Sequence, residues 1–259
     1  MSRAIGVIGV TGQVGRLLTE EIPKAGAALS GGTLGRDKSK SAPAGVALFD
    51  DVGALADRSD AMIDFTHAET IVPYAKQVRA HKAAWIVGAS GLQKPQWDAL
   101  RFAAETVPVV YAPNFAATAI LMPELVQTLA RLLPAADYDV EILETHHRHK
   151  VDAPSGTATA MGRLICETRG LDFDEVAVLG RDGETGARKP GAVGFGSIRA
   201  GEIVGETSIY FMSDDETVIL GRRVFDRRVY AEGAVQAALW AIGRKPGLYA
   251  MKDVLAKSR

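Results

Sequence analysis

Glu144-Thr145-His146-His147-Arg148-His149-Lys150-Val151-Asp152-Ala153-Pro154-Ser155-Gly156-Thr157 collects acid–base groups, a fixed cation and a turn into a helix within fourteen residues. His146, His147 and His149 are three of the five histidines in the chain, and an imidazole titrates near enough to neutral pH to give or take a proton during turnover. Lys150 adds a positive charge. Ser155-Gly156-Thr157 opens an Ala-rich stretch with helical spacing, so backbone N–H groups and two hydroxyls at a helix start would face an incoming anion. The combination reads as a clamp for a carboxylate or phosphate beside a proton donor. Zinc bound by the histidines with Glu144 and Asp152 is a competing chemistry. Against it, the histidines lack an i, i+4 placement, no cysteine pair is present, and Lys150 would repel a cation. Histidines that only cap a strand would leave the adjoining Ser155-Gly156-Thr157 unexplained.

A second motif lies at the start of the chain. Ala4 to Val10 is a short apolar run, Gly9-Val10-Thr11-Gly12-Gln13-Val14-Gly15 is a turn with glycines three apart, and Leu17, Leu18 and Ile22 then recur at helical spacing. Strand, glycine turn and helix in that order resemble the dinucleotide fingerprint, in which glycine lets the backbone approach a pyrophosphate. A nucleoside triphosphate loop is excluded, because no Lys-Ser/Thr pair follows. After the second strand the chain reads Gly35-Arg36-Asp37-Lys38-Ser39-Lys40. Arg36, Lys38 and Lys40 suit a ribose 2′-phosphate, which a guanidinium can grip bidentately, so NADPH is expected in preference to NADH. A solvated basic loop, with Asp37 reaching the ribose, is the other reading. Asp64-Phe65-Thr66 and Val87-Gly88-Ala89-Ser90-Gly91 each end a strand at the edge where open α/β sheets bind ligands, and both could border the nicotinamide ribose.

The elements that must position these groups follow from apolar patterning. Strand candidates at Ala27–Leu34, Gly45–Phe49, Ala61–Phe65, Ala83–Val87 and Val107–Tyr111 alternate with helical segments, which predicts a parallel, doubly wound sheet. Thr118 to Leu133 reads as a long helix leading out of this first domain. Tyr138 to Leu143 reads as a strand into the histidine segment, and Ala158 to Thr168 as the helix after it. Gly180 to Gly205 reads as a long glycine-rich loop, where Arg199 and the adjoining Glu206 either line the substrate or subunit interface or are solvated, with strands resuming at Ile198, Thr207–Met212 and Thr217–Gly221 in a mixed or antiparallel sheet. A helix around Ala231–Trp240 is expected to return to the first domain. Trp85, Trp97 and Trp240 read as packing residues, and His67 and His81 receive no catalytic role.

Composition narrows the function classes. A formal charge of -1 on 259 residues, with 47% hydrophobic and 24% charged content, argues against a broad basic surface for nucleic acid. No apolar run approaches the ~18 residues of a membrane span, and no signal-peptide layout opens the chain. The single cysteine, Cys166, reads as a buried hydrophobe and excludes an internal disulfide, which fits a reducing cytoplasm.

Taken in order, these segments resemble the 4-hydroxy-tetrahydrodipicolinate (dihydrodipicolinate) reductase family of the diaminopimelate and lysine pathway. Glu144 to Thr157 resembles the family's E-x-H-H-x-x-K-x-D-A-P-S-G-T signature almost letter for letter. Asp64-Phe65-Thr66, Asn114-Phe115, Arg199 to Glu206, and Gly233-Ala234-Val235 with Ala238-Leu239-Trp240 also resemble family segments. The resemblance implies a Rossmann-like α/β domain that binds NAD(P)H, an inserted α+β domain that binds a small dicarboxylate and forms a homotetramer, and boundaries at 1–115, 116–227 and 228–259. It implies that His146 is the general acid, that Lys150 assists in protonation and binding, and that His147, Ser155, Gly156 and Thr157 hold substrate. Cofactor contacts would come from Gly9, Thr11, Gly12, Gln13, Val14, Gly15 and Arg36, then from Phe65, Thr66, Gly88, Ala89, Ser90, Asn114 and Phe115.

Three departures from the family pattern bear on function. Gly88-Ala89-Ser90-Gly91 stands where the family commonly has Gly-Thr-Thr-Gly. Ala116-Ala117-Thr118-Ala119-Ile120 follows Asn114-Phe115 in place of Ser-x-Gly-x-Asn, and Gly35 replaces a frequent acid. A paralogous NADPH-dependent reductase of another cyclic imine, or a non-catalytic NADP-sensing protein, are the alternative functions; His146 and Lys150 count against the second.

Overall fold

The computed structural model describes residues 3–37 and 39–256; Lys38, expected to help hold a ribose phosphate, lies outside them. Along the chain run β1 (Ala4–Ile8), α1 (Gln13–Lys24), β2 (Ala28–Thr33), α2 (Val52–Ala56), β3 (Ala61–Asp64), α3 (Ala68–Arg79), β4 (Ala84–Val87), α4 (Lys94–Ala104) and β5 (Pro108–Tyr111). There follow α5 (Ala117–Leu132), β6 (Asp139–His146), α6 (Gly156–Arg169), α7 (Phe173–Val176), β7 (Ala177–Val178), β8 (Val193–Arg199), β9 (Gly205–Met212) and β10 (Thr217–Val224). The last elements are α8 (Arg228–Ala241), β11 (Gly247–Ala250) and α9 (Met251–Ala256). The chain divides into two compact units, one running to Ile120 and resuming at Arg227, the other Leu121–Asp226.

The first unit is a six-stranded sheet in the order β11-β5-β4-β3-β1-β2, parallel throughout. Its central strands are buried on both faces, which is why β1 and β3 read as continuous apolar runs. On one face, Leu18 and Ile22 of α1 pack with Ala231, Ala234 and Ala238 of α8. On the other, Ile71 and Val78 of α3 and Leu100 of α4 surround Trp85 and Met62. Small residues bring α8 close, and Gly233 closest of all, since a Cβ there would stand 1.9 Å from the Phe115 carbonyl oxygen. β11 is a strand that periodicity does not predict: four residues between Pro246 and α9, three half-buried and one exposed, carry too short a signal, and pairing with β5 defines them. The expected strand over Gly45–Phe49 does not form. Only one bridge, Gly32 to Leu48, links it to the β2 edge, where Gly31 at φ +135° bends the backbone against the Ala47 carbonyl.

The second unit is a mixed five-stranded sheet, β10-β9-β6-β8-β7, antiparallel across β10, β9 and β6 and parallel across β6, β8 and β7. Val140 and Ile142 of β6, Phe195 of β8 and Ile209 and Phe211 of β9 point to one face, where Val126 of α5 and Met161 and Ile165 of α6 cover them. Cys166 is buried in this core. Two sequence expectations change here. β6 runs on to His146 rather than ending at Leu143. β8 begins at Val193, inside the span expected to be loop and ahead of the strand expected to resume at Ile198, so Arg199 sits at a strand end. The glycines that suggested a loop mark close approach: a Cβ at Gly194 would meet the Glu141 carboxylate at 2.1 Å, and one at Gly196 would meet Leu143 at 3.1 Å.

Gly233→Ala should destabilise the protein by roughly 1–3 kcal/mol through overpacking against Phe115, read as a fall in urea midpoint at unchanged slope. An unchanged midpoint would show that α8 can shift outward freely.

Candidate active site

His146 ends β6, and Glu144, two residues earlier, points to the same face because side chains alternate along a strand. The Glu144 carboxylate is fully buried. Its Oε2 lies 2.5 Å from His146 Nδ1 and accepts from Arg199 Nη1 at 2.9 Å, while its Oε1 accepts from Arg199 Nη2 at 2.6 Å and from the Ser155 N–H at 3.2 Å. Burial opposes ionisation, but hydrogen bonds from Arg199, Ser197 and His146 outweigh it and hold the carboxyl at about 2, below the ordinary 4.5. Arg199 arrives by sheet register, since β8 places it directly beside His146. The following turn is pinned by Ala200 N–H to the His146 carbonyl and Arg148 N–H to the Gly201 carbonyl. Gly205 leaves room for the imidazole, as a Cβ there would stand 3.0 Å from His146 Nε2.

Beyond the strand, Lys150 Nζ donates to both oxygens of Asp152 at 2.6 and 2.8 Å, a pair that lowers the Asp152 pKa. His147 is half-buried, with an Nδ1 that meets no partner. Ser155 corrects the expectation of two outward hydroxyls. It is buried, and its Oγ caps α6 by accepting the Ala158 N–H at 3.3 Å. Gly156 and Thr157 remain exposed at the first turn, so the outward anion-binding groups are their N–H groups and one hydroxyl. His149 contacts Glu202 at the surface, away from Glu144.

In the other unit, the turn after β1 has the features a dinucleotide needs. Gly9 adopts φ +82°, with its N–H and that of Val10 donating to the Thr33 carbonyl. Gly15 packs so tightly that a Cβ would lie 2.2 Å from the Gly9 carbonyl oxygen. Gly12 caps α1 with no side-chain hydrogen bond, and Gly12 and Gln13 are exposed, which leaves first-turn N–H groups open to an anion. One pocket is lined by Gly9, Thr11, Gly12, Arg36, Phe65 and Thr66, among others, while Val14 is half-buried against the core. Asp64, fully buried, accepts from the Thr66 N–H and hydroxyl through one oxygen; burial raises its pKa to about 6 despite these donors. Phe65 packs on Phe115 with ring centroids 5.6 Å apart, and Gly88 sits against the Phe65 ring. Of the remaining expected cofactor residues, Ser90 is exposed and Asn114 accepts the Ala116 N–H. Phe115 and Ala89 are core residues whose side chains face no solvent; they can offer a ligand only backbone.

A doubly wound parallel sheet with this turn, in a chain whose second unit carries a buried carboxylate–imidazole pair, is the design of Rossmann-like oxidoreductases that use a nicotinamide dinucleotide. Comparison with known proteins defines the family. The model for the N-terminus of dihydrodipicolinate reductase matches residues 3–115, and that for its C-terminus matches residues 118–255. The chain is 48% identical to the 4-hydroxy-tetrahydrodipicolinate reductases of Granulibacter bethesdensis and of Gluconacetobacter diazotrophicus, in each case over 97% of this chain and 96% of the relative. It resembles the solved dipicolinate-bound dihydrodipicolinate reductase from Paenisporosarcina sp. TG-14 with a TM-score of 0.77, at 22% identity over 98% of this chain and 99% of that one. The chain belongs to the dihydrodipicolinate reductase family.

Sequence reasoning gives Glu144 no role of its own beyond a zinc alternative, and offers Arg199 only as a residue of the glycine-rich excursion that lines the substrate or subunit interface or is solvated. Glu144 was findable: a carboxylate two residues before His146 shares its face once the strand is extended. Arg199, fifty-five positions from Glu144, needed the β6–β8 register.

Two outcomes follow. Folded Glu144 stays ionised down to about pH 2, whereas unfolded it protonates near 4.5. Its contribution, on the order of 3 kcal/mol, is therefore complete above about pH 5 and disappears as pH falls towards 2. The stability gap between wild type and Glu144→Gln, measured by urea unfolding, should narrow as pH falls from about 5 towards about 2; a constant gap contradicts the assignment. Gly205→Ala should lower kcat on the order of tenfold by displacing the imidazole, with cofactor affinity unchanged by fluorescence titration.

Proposed function

We propose that this oxidoreductase reduces 4-hydroxy-tetrahydrodipicolinate to tetrahydrodipicolinate, a step of diaminopimelate and lysine synthesis, with NADPH preferred over NADH. The observation that carries the reading is the His146–Glu144 pair standing beside the first turn of α6, with Lys150 on the intervening loop. The substrate is a cyclic dicarboxylate that loses water, gains hydride at one carbon and takes a proton at another. The nicotinamide, when bound, supplies the hydride. His146 supplies the proton from Nε2, with Glu144 accepting from Nδ1 and so stabilising the imidazolium before transfer. Gly156 and Thr157 bind a carboxylate through N–H groups and the Thr157 hydroxyl, while Lys150 and His147 add donors.

The residues around the glycine turn fit the dinucleotide, since backbone approach at Gly9, Gly12 and Gly15 depends on the missing side chains. NADPH preference is supported by Arg36, which lines the pocket and whose guanidinium makes only an exposed ion pair with Glu69 at 3.1 Å, leaving it available to a phosphate. It is also supported by Gly35, which places no acid at the pocket and where a Cβ would stand 2.9 Å from Thr11 Oγ1. Asp37 is occupied by the Ser39 N–H and hydroxyl. Assembly as a homotetramer is supported by the uncovered face of the second unit's sheet, where Leu143, Ile198 and Ile219 are exposed. A cytoplasmic setting is consistent with one buried thiol; among the described residues, no helix is long and apolar enough to cross a membrane.

The test is a coupled assay in which dihydrodipicolinate synthase generates the unstable substrate and oxidation of NADPH, then NADH, is followed by absorbance. Fast oxidation with a lower KM for NADPH is expected. No oxidation, with NADPH still binding, would reject the substrate and leave a reductase of another imine or an NADP sensor. In the same assay, His146→Ala should lower turnover by ~10²-fold or more with NADPH binding intact. Lys150→Ala should impair both turnover and substrate affinity. Arg36→Ala should raise the KM for NADPH on the order of tenfold and leave that for NADH nearly unchanged.

A further inference from the structure

We propose that Glu144 and Arg199 form a positioning device that fixes the tautomer and ring orientation of His146, so that Nε2 is the only nitrogen able to deliver the proton. The inference rests on His146 as proton donor in the function proposed above.

An ionised carboxylate can only accept hydrogen bonds. With Glu144 Oε2 at 2.5 Å from His146 Nδ1, the hydrogen of a neutral imidazole must reside on Nδ1, leaving Nε2 bare. An imidazolium must then present its transferable proton on Nε2, which makes no hydrogen bond among the described residues and faces the gap left by Gly205. The χ2 torsion of histidine is broad and roughly two-fold, so a ring held only by packing can flip. A flip here would place Cδ2 against the carboxylate and forfeit the charge-assisted bond.

Glu144 can hold the ring because it is itself held. Donors converge on its two oxygens from Arg199 Nη1 and Nη2, the Ser155 N–H, Ser197 and His146. Arg199 is pinned in turn by the carbonyl oxygens of Ile198 at 2.8 Å and Asp152 at 2.7 Å. The guanidinium also sets the charge balance. With a neutral imidazole, Glu144 and Arg199 cancel, so release of the His146 proton leaves no uncompensated buried anion. Without Arg199, the departing proton would strand one. Arg199 therefore favours both the geometry and the direction of transfer, although it touches neither the proton nor the ring.

Two measurements test this in the full-length protein. Histidine 15N–1H correlation spectra of the wild type, with His146 assigned through His146→Gln, should show neutral His146 as the Nδ1–H tautomer. An Nε2–H tautomer overturns the proposal without any assay of turnover. A double-mutant cycle then reads kcat. Glu144→Gln should lower kcat on the order of 10- to 100-fold in the wild-type background and less than about twofold in a His146→Gln background, with KM for substrate changed little. Equal losses in both backgrounds would mean that Glu144 serves only packing, and would overturn the proposal while leaving the function intact. An unchanged kcat in His146→Gln alone would overturn the role of His146 and this inference with it. Should Glu144→Gln fail to fold, Arg199→Lys and Arg199→Gln replace it in the cycle. Lysine should retain more activity than glutamine, and equal activities would count against the device.

Discussion

A carboxylate removed from water must find donors for its lone pairs or give up its charge, and Glu144 has kept its charge. Much of the second unit is arranged around that demand. β8 runs parallel to β6 in a register that places Arg199 beside His146 and Ser197 beside Glu144. The chain entering α6 turns so that the Ser155 N–H reaches the same carboxylate. A one-residue slip of β6 would move Glu144 to the open face and carry Val140 and Ile142 out of the core with it. The apolar alternation and the ion cluster therefore enforce the same register, one through the hydrophobic effect and the other through the penalty for an unpaired charge.

The first unit also buries a carboxyl, with the opposite result. Asp64 has donors from Thr66 on one oxygen and no partner on the other, so burial prevails and its pKa rises. Its service is local: it closes the turn after β3 and fixes Thr66 at the rim of the glycine pocket. That pocket is shaped chiefly by backbone, through what glycine omits at positions 9, 12 and 15. The departures from the family pattern read differently in this light. Ala89 and Ala116 are both buried core positions, so the apolar side chains replace polar ones where no solvent reaches. Gly35, by contrast, borders the pocket directly.

The apolar runs, the glycine turn and the helical spacing of Leu18 and Ile22 made the strand–turn–helix legible, because each is a local preference that long-range packing reinforces. The histidine segment was legible for the same reason: its chemistry lies within fourteen consecutive residues. Reading failed where glycine carried two meanings. Gly194 and Gly196 suggested a loop, but they are strand positions made small by the Glu141 and Leu143 side chains lying over them. β11 was lost because four residues are too few to show a period.

The sequence by itself determined the fold class and the place of the glycine turn between β1 and α1, since each depends on residues close together in the chain. Tertiary structure alone decided that the Ser155 N–H serves Glu144 and that Arg199 pairs with the same carboxylate. Those pairings join positions far apart in sequence. No local preference encodes them, because they exist only once the β6–β8 register has brought charge, cap and imidazole within hydrogen-bond distance.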